Sequence, residues 1–255
     1  MPRKPREESR TKIYHVMSRG LNKLAIFNQS RERTRLINLI RENLSKYDVA
    51  IYAYCIMPNH FHLLIKADLE ELASFMAKIL AAFAKYYNFK HNRIGYVFQD
   101  RFKSQCVEDE KYFWNCLRYI HMNPEKTGKI EEIFQYEHSS MKEFYYEKQD
   151  ILSEEIFKWS NEKFANIQEF LEFHEKGSWD VFADVSEDMM KNNCRIAREI
   201  LSQCERKYRL AGVEILDYVA TRGEYEKRLK EILKIPQWEV KKIEEIIRKE
   251  LAGTG

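Results

Sequence analysis

The chain has 255 residues, 44% hydrophobic and 33% charged, which suits one large or two small globular domains with a real core. No apolar run approaches the roughly 20 residues of a membrane-spanning helix, and the charged start MPRKPREESR lacks the apolar middle of a secretory signal. The net charge of +3 conceals an asymmetry. Residues 1–130 carry 23 basic and 13 acidic side chains, the remainder 20 and 27. The front half therefore fits a polyanion such as nucleic acid, although ordinary surface charge gives the same count. Five cysteines without a CxxC pair argue against a disulfide framework or a zinc ribbon and for a reducing cytoplasm.

In chain order, KIYHVMSR (Lys12 to Arg19) is rich in β-branched and aromatic residues and stops at Gly20, the pattern of a strand. Ser30 is a candidate N-cap for a helix in which Leu36, Ile37, Ile40 and Leu44 recur at helical spacing. VAIYAYCIM predicts a second strand, Pro58 and Asn59 a turn, and HFHLLIK a third strand. Leu72, Phe75, Met76, Ile79, Leu80 and Phe83 mark a long amphipathic helix. A short strand is expected near Lys103 to Val107, then a helix stopped by Pro124. The order β-α-β-β-α-β plus a helix predicts an α+β fold, a ferredoxin-like antiparallel sheet with helices on one face. From Glu131 on, only helical segments are expected, so a domain over 1–130 precedes a helical region over 131–255.

One stretch does not read as plain core. In a strand, residues two apart share a face, so His60, His62 and Leu64 point one way and Phe61, Leu63 and Ile65 the other. Two imidazoles on one face form a bidentate site for a divalent metal; two mutually satisfied histidines, or a half-exposed edge, fit the same pattern. On the helix after the fourth strand Tyr112, Tyr119 and Asn123 fall along one flank of the apolar face at 100° per residue. Tyr119 also suits the rim of a core, and Asn123 a C-terminal cap before a proline. A helix C-terminus carries partial negative charge, which favours a cation there.

These residues carry a resemblance. MPNHFHLLI resembles the His-hydrophobic-His (HUH) motif of single-tyrosine nucleases, and above all of transposase-like proteins associated with repetitive extragenic palindromes (REP). YHVMSRGLNKLAIF (Tyr14 to Phe27) is similar to that family's first strand and turn, YVFQDRFKS (Tyr96 to Ser104) to its basic segment, and LRYIHMNPEKTG (Leu117 to Gly128) to its nucleophile helix. The resemblance covers roughly residues 1–140. It implies metal-dependent DNA strand cleavage and rejoining on single-stranded or hairpin DNA through a 5′-phosphotyrosine. In that scheme Tyr119 is the nucleophile, and His60, His62 and Asn123 hold one Mg²⁺ or Mn²⁺. Related insertion-sequence transposases often have Gln where this chain has Asn123, and the shorter amide puts the third ligand in question. A binding protein derived from a transposase, without cleavage, and a metal-dependent hydrolase acting through water are the rival readings.

For the DNA, Arg93, Arg101 and Lys103 interleave with Tyr96, Phe98 and Phe102, and Arg19 and Lys23 flank the first turn. The cations are candidate phosphate contacts and the aromatics either stacking platforms or core. Residues 2–6, PRKPR, are expected to form an arm that reaches phosphate. Related proteins often carry a C-terminal helix-turn-helix; here two helical stretches flank Pro236 without the expected glycine turn. A cytoplasmic, nucleoid-associated protein without a membrane partner is expected; insertion-sequence relatives form dimers and REP-associated relatives act as monomers, and the mass the second half adds favours a monomer here.

Overall fold

The computed structural model describes residues 6–124, 133, 136–146, 150–175, 186–233, 235 and 237–252. The chain forms two compact units, Met1–Gly177 and Ser178–Gly255.

The first unit is built on a four-stranded sheet. Strands β1 (Ile13–Arg19), β2 (Val49–Ile56), β3 (His60–Ala67) and β4 (Lys103–Cys106) lie in the order β2-β3-β1-β4, every neighbour antiparallel. Helix α1 (Ser30–Leu44) connects β1 to β2, and helix α2 (Leu69–Lys90) connects β3 to β4, as the ferredoxin-like reading predicts. Ser30 is not the cap of α1. It is the first helical residue, and its hydroxyl lies 3.1 Å from His138 Nε2, while the Glu32 carboxylate accepts the N–H of the true cap, Gln29, at 2.8 Å.

Burial of β1 along its whole length means that both faces of the sheet are covered. Pairing of Val16 with Leu63 and Ser18 with Phe61 turns one set of side chains toward α1 and α2. There Phe27 packs between Phe61 and Phe83, with ring centroids 5.9 and 4.8 Å away. The opposite face carries the histidines and is covered by helix α3 (Glu110–Met122), whose Phe113 meets Tyr52 edge-on at 5.6 Å.

The sequence places Phe113, Cys116, Leu117 and Ile120 on the inner side of α3, and all four are buried. Trp114, Asn115, Arg118 and His121 are buried as well. A second layer accounts for this: helices α4 (Met141–Tyr146), α5 (Glu154–Lys163) and α6 (Ile167–Glu175) bring Phe164 to Trp114 at 5.3 Å and His174 to His121 at 5.2 Å. Residues 138–140 also add to the edge of β2, with Ile56 N–H donating to His138 O and Ser140 N–H to Tyr54 O, each at 2.9 Å. The first unit therefore runs well past Ile130, the expected boundary, which itself lies outside the described residues.

The second unit is helical: α7 (Ser186–Tyr208), α8 (Gly212–Asp217), α9 (Val219–Leu233) and α10 (Gln237–Ala252). Ile196, Ile200 and Cys204 from α7, Ile215 and Leu216 from α8, Tyr225 and Leu229 from α9, and Val240, Ile243 and Ile247 from α10 form its core. On α7, α9 and α10 these positions keep the three- and four-residue spacing of amphipathic helices. Pro236, where a break between helices was expected, lies outside the described residues.

Candidate active site

Register builds the site. Residues directly opposite in an antiparallel pair share a face. His62 faces Cys55 on β2 and Met17 on β1, His60 faces Arg19, and His15 faces Leu64 on one side and Gln105 on the other. His60, His62, His15, Arg19, Gln105 and Lys103 thus project from one surface, on the side covered by α3.

His60 and His62 stand edge-on with ring centroids 4.9 Å apart, both buried. Asn59 Oδ1 lies 2.6 Å from His60 Nδ1. An amide oxygen can only accept, so His60 donates to it from Nδ1. His62 Nδ1 lies 3.1 Å from His15 Nε2, with the two rings stacked at 5.2 Å. Burial, then the neighbouring His60 and His15, hold His62 well below the usual histidine range; burial alone brings His15 down to about 3. Both imidazoles are neutral at physiological pH, the state in which a ring nitrogen can donate to a metal.

Tyr119 comes from the other layer. Its ring meets His62 edge-on at 5.6 Å and His15 at 5.8 Å. Asn123 caps α3 with helical backbone angles, four residues and about 6 Å of helix rise beyond Tyr119. Tyr112 is in the first turn, where its N–H donates to the cap Asp109 at 2.8 Å, about 10 Å of helix rise before Tyr119.

The chemistry of the donors fits a divalent ion on the two histidines. Among the described residues, no three His, Cys, Asp or Glu side chains are grouped to hold a metal. His15, which the sequence reading passed over, turns its Nε2 to His62 and acts as that ring's neighbour. The available signal was its position in β1, two residues from Met17, which pairs with His62; it becomes visible only once the register is known.

The expected cations divide. Gln99 N–H donates to Arg19 O and Leu21 N–H to Val97 O, both at 2.9 Å, so the segment before β4 is tied to the turn after β1. Lys23 is exposed in a short 3-10 turn (Leu21–Lys23), and Arg101 and Lys103 are exposed at the start of β4. Arg19 is buried beside His60. Arg93 lies instead past the end of α2, its guanidinium 5.8 Å from the Tyr87 ring. Phe98 packs on Phe83 at 5.8 Å. Phe102 is buried beneath the Arg6 guanidinium, 3.8 Å from its ring. Tyr96, 84% exposed, is the aromatic left facing solvent. Arg6 is the last residue of the expected basic arm; residues 1–5 lie outside the described ones.

A family model for IS200-like transposases matches residues 9–123. The chain belongs to this family. A REP-associated tyrosine transposase of Haemophilus influenzae is 30% identical over 139 residues, which span 48% of this chain and 79% of that protein. A solved structure described as a REP-associated tyrosine transposase bound to a REP hairpin covers 60% of this chain and 94% of its own, with a TM-score of 0.48 and 15% identity. No helix among the described residues is long and apolar enough to cross a membrane.

Proposed function

We propose that the protein cleaves and rejoins single-stranded or hairpin DNA, with Tyr119 as nucleophile and His60, His62 and Asn123 as ligands of one Mg²⁺ or Mn²⁺. The observation that carries this reading is the convergence of Tyr119 on the histidine face, within 5.6 Å of the His62 ring centroid. Family membership points to the same substrate class.

In this scheme the Tyr119 hydroxyl attacks the scissile phosphorus. A P–O bond to the tyrosine forms, the bond to the 3′ oxygen breaks, and that oxygen takes up a proton. The products are a 5′-phosphotyrosine and a 3′-hydroxyl, and attack by another 3′-hydroxyl reverses the step, so rejoining requires no nucleotide cofactor. A tyrosine hydroxyl loses its proton near pH 10 in water and is a weak nucleophile unless activated. A bound divalent ion would polarise the phosphate and offset the charge that develops there. Arg19, which pairs across the strands with His60, would hold the same phosphate, and His15, whose Nε2 lies 3.1 Å from His62 Nδ1, would support that ring. Such chemistry belongs with the chromosome, in the cytoplasm, and one chain supplies every residue it uses.

Incubation with a 5′-labelled hairpin and Mn²⁺ tests the reading: a protein–DNA adduct stable to denaturation is the expected product. Free 5′-phosphate without an adduct indicates water as nucleophile, and binding without metal-dependent cleavage indicates the non-catalytic alternative.

Two further results are expected. His15→Phe weakens Mn²⁺ binding, measured by calorimetry, roughly 10- to 100-fold, the range for an outer-shell partner of a ligand histidine; unchanged affinity removes His15 from this role. Arg101→Ala and Lys103→Ala each reduce the slope of log affinity against log salt by about 0.7 to 0.9, the loss of one phosphate contact. An unchanged slope for both places the DNA path elsewhere.

A further inference from the structure

Outside the histidine face, α3 carries a second buried polar system. Ser140 Oγ lies 2.8 Å from His121 Nε2, His121 Nδ1 lies 3.0 Å from His174 Nε2, and His174 Nδ1 lies 2.8 Å from Phe170 O. At the other end Tyr54 N–H donates to Ser140 Oγ at 2.9 Å. Ser140, His121 and His174 are all buried. They sit among aromatic rings: Phe144 is 5.3 Å from His121, and Phe170 is stacked on Phe144 at 5.0 Å.

The two ends fix the direction of every hydrogen bond. A backbone carbonyl only accepts, so His174 donates from Nδ1 and, being neutral, accepts at Nε2. His121 must then donate from Nδ1 and accept at Nε2, which takes the Ser140 hydroxyl proton. Ser140 accepts from Tyr54 N–H at its remaining lone pair. The hydroxyl also lies 3.2 Å from Tyr54 O, a longer alternative. A chain of defined polarity therefore runs from β2 through the last turn of α3 to α6.

We propose that this chain is a positioning device that sets where the last turn of α3 delivers Tyr119; the inference rests on the assignment of Tyr119 as nucleophile. His121 is two residues from Tyr119 and two from Asn123. Tyr54, where the chain begins, precedes Cys55, which pairs directly with His62. The chain thus links the turn bearing the tyrosine to the strand beside the histidine pair. Apolar side chains would hold the two layers together equally well, but they tolerate sliding and rotation. A buried polar chain does not, because any shift leaves a donor or acceptor unmatched. His121, His174 and Ser140 touch neither the proposed metal nor the DNA, so they are positioning residues.

The test uses the full chain with His174→Phe, which keeps a ring but removes the acceptor for His121, and His174→Gln, whose amide oxygen restores it. Ser140→Ala is the milder companion. The single-turnover rate of adduct formation at saturating hairpin is expected to fall roughly 10- to 100-fold in His174→Phe, the scale of a small misplacement of reacting groups. Hairpin affinity stays within about twofold, and His174→Gln recovers most of the rate. Imidazole ¹⁵N–¹H spectra of the wild type report both rings as neutral and protonated on Nδ1. A wild-type rate in His174→Phe and Ser140→Ala overturns the proposal. So does a loss of affinity and thermal stability that His174→Gln does not repair, which marks the chain as fold support only. Absence of any adduct with the wild type refutes the nucleophile assignment instead.

Discussion

Tyr119→Phe is expected to abolish the covalent protein–DNA adduct while hairpin affinity stays within about twofold of the wild type. The substitution removes one oxygen. The ring that meets His62 at 5.6 Å and His15 at 5.8 Å stays in place, so the sheet, α3 and the cationic rim are unaffected. Denaturing gels with labelled hairpin read the adduct, and filter binding reads the affinity. An undiminished adduct sinks the assignment of Tyr119. Tyr112 is then the next tyrosine to test, although its place in the first turn of α3, seven residues earlier, sets it two helical turns away.

His60→Ala and His62→Ala are each expected to weaken Mn²⁺ binding by more than the roughly 10- to 100-fold typical of outer-shell partners, because each removes a donor atom rather than its support. Adduct formation is lost with it. The two differ in their effect on the fold. His62 is completely buried, with Tyr119, His15 and His60 packed around it, so its loss opens a cavity; His60 sits at the start of β3 and costs less. Calorimetry with Mn²⁺ alone, on variants whose circular dichroism matches the wild type, separates ligand loss from unfolding. Wild-type affinity in the His60 variant contradicts the ligand set.

The parts of the site legible in the sequence are those set by local periodicity. Alternation along β3 puts His60 and His62 on one face whatever their surroundings. Helical spacing likewise puts Phe113, Cys116, Leu117 and Ile120 together. What the sequence could not show depends on contacts between distant segments. His15 gains its meaning from the pairing of β1 with β3, 47 residues away. Trp114, Arg118 and His121 look like a polar flank until residues 139–175 cover them. The choice between stacking and core for the aromatics before β4 was likewise undecidable locally: Phe98 and Phe102 are taken up by packing, and Tyr96 is left outside. Asn123 has the expected place at the end of α3, and the length of its side chain is what metal titration of an Asn123→Gln variant would address.

The two-sided burial of β3 also bears on how faithfully the site can be made. A slip of one residue against β1 would exchange the two faces of the strand. His60 and His62 would then be driven against Phe27 and Phe83, and Phe61 and Leu63 would take the place opposite Tyr119. Such a molecule would bury two imidazoles among hydrocarbon rings and lose the tyrosine's neighbours together. The hydrophobic core of α1 and α2 therefore also fixes the other side of the sheet: a chain in the stable register presents the histidine pair beside Tyr119, and a misregistered chain is disfavoured by its lost stability.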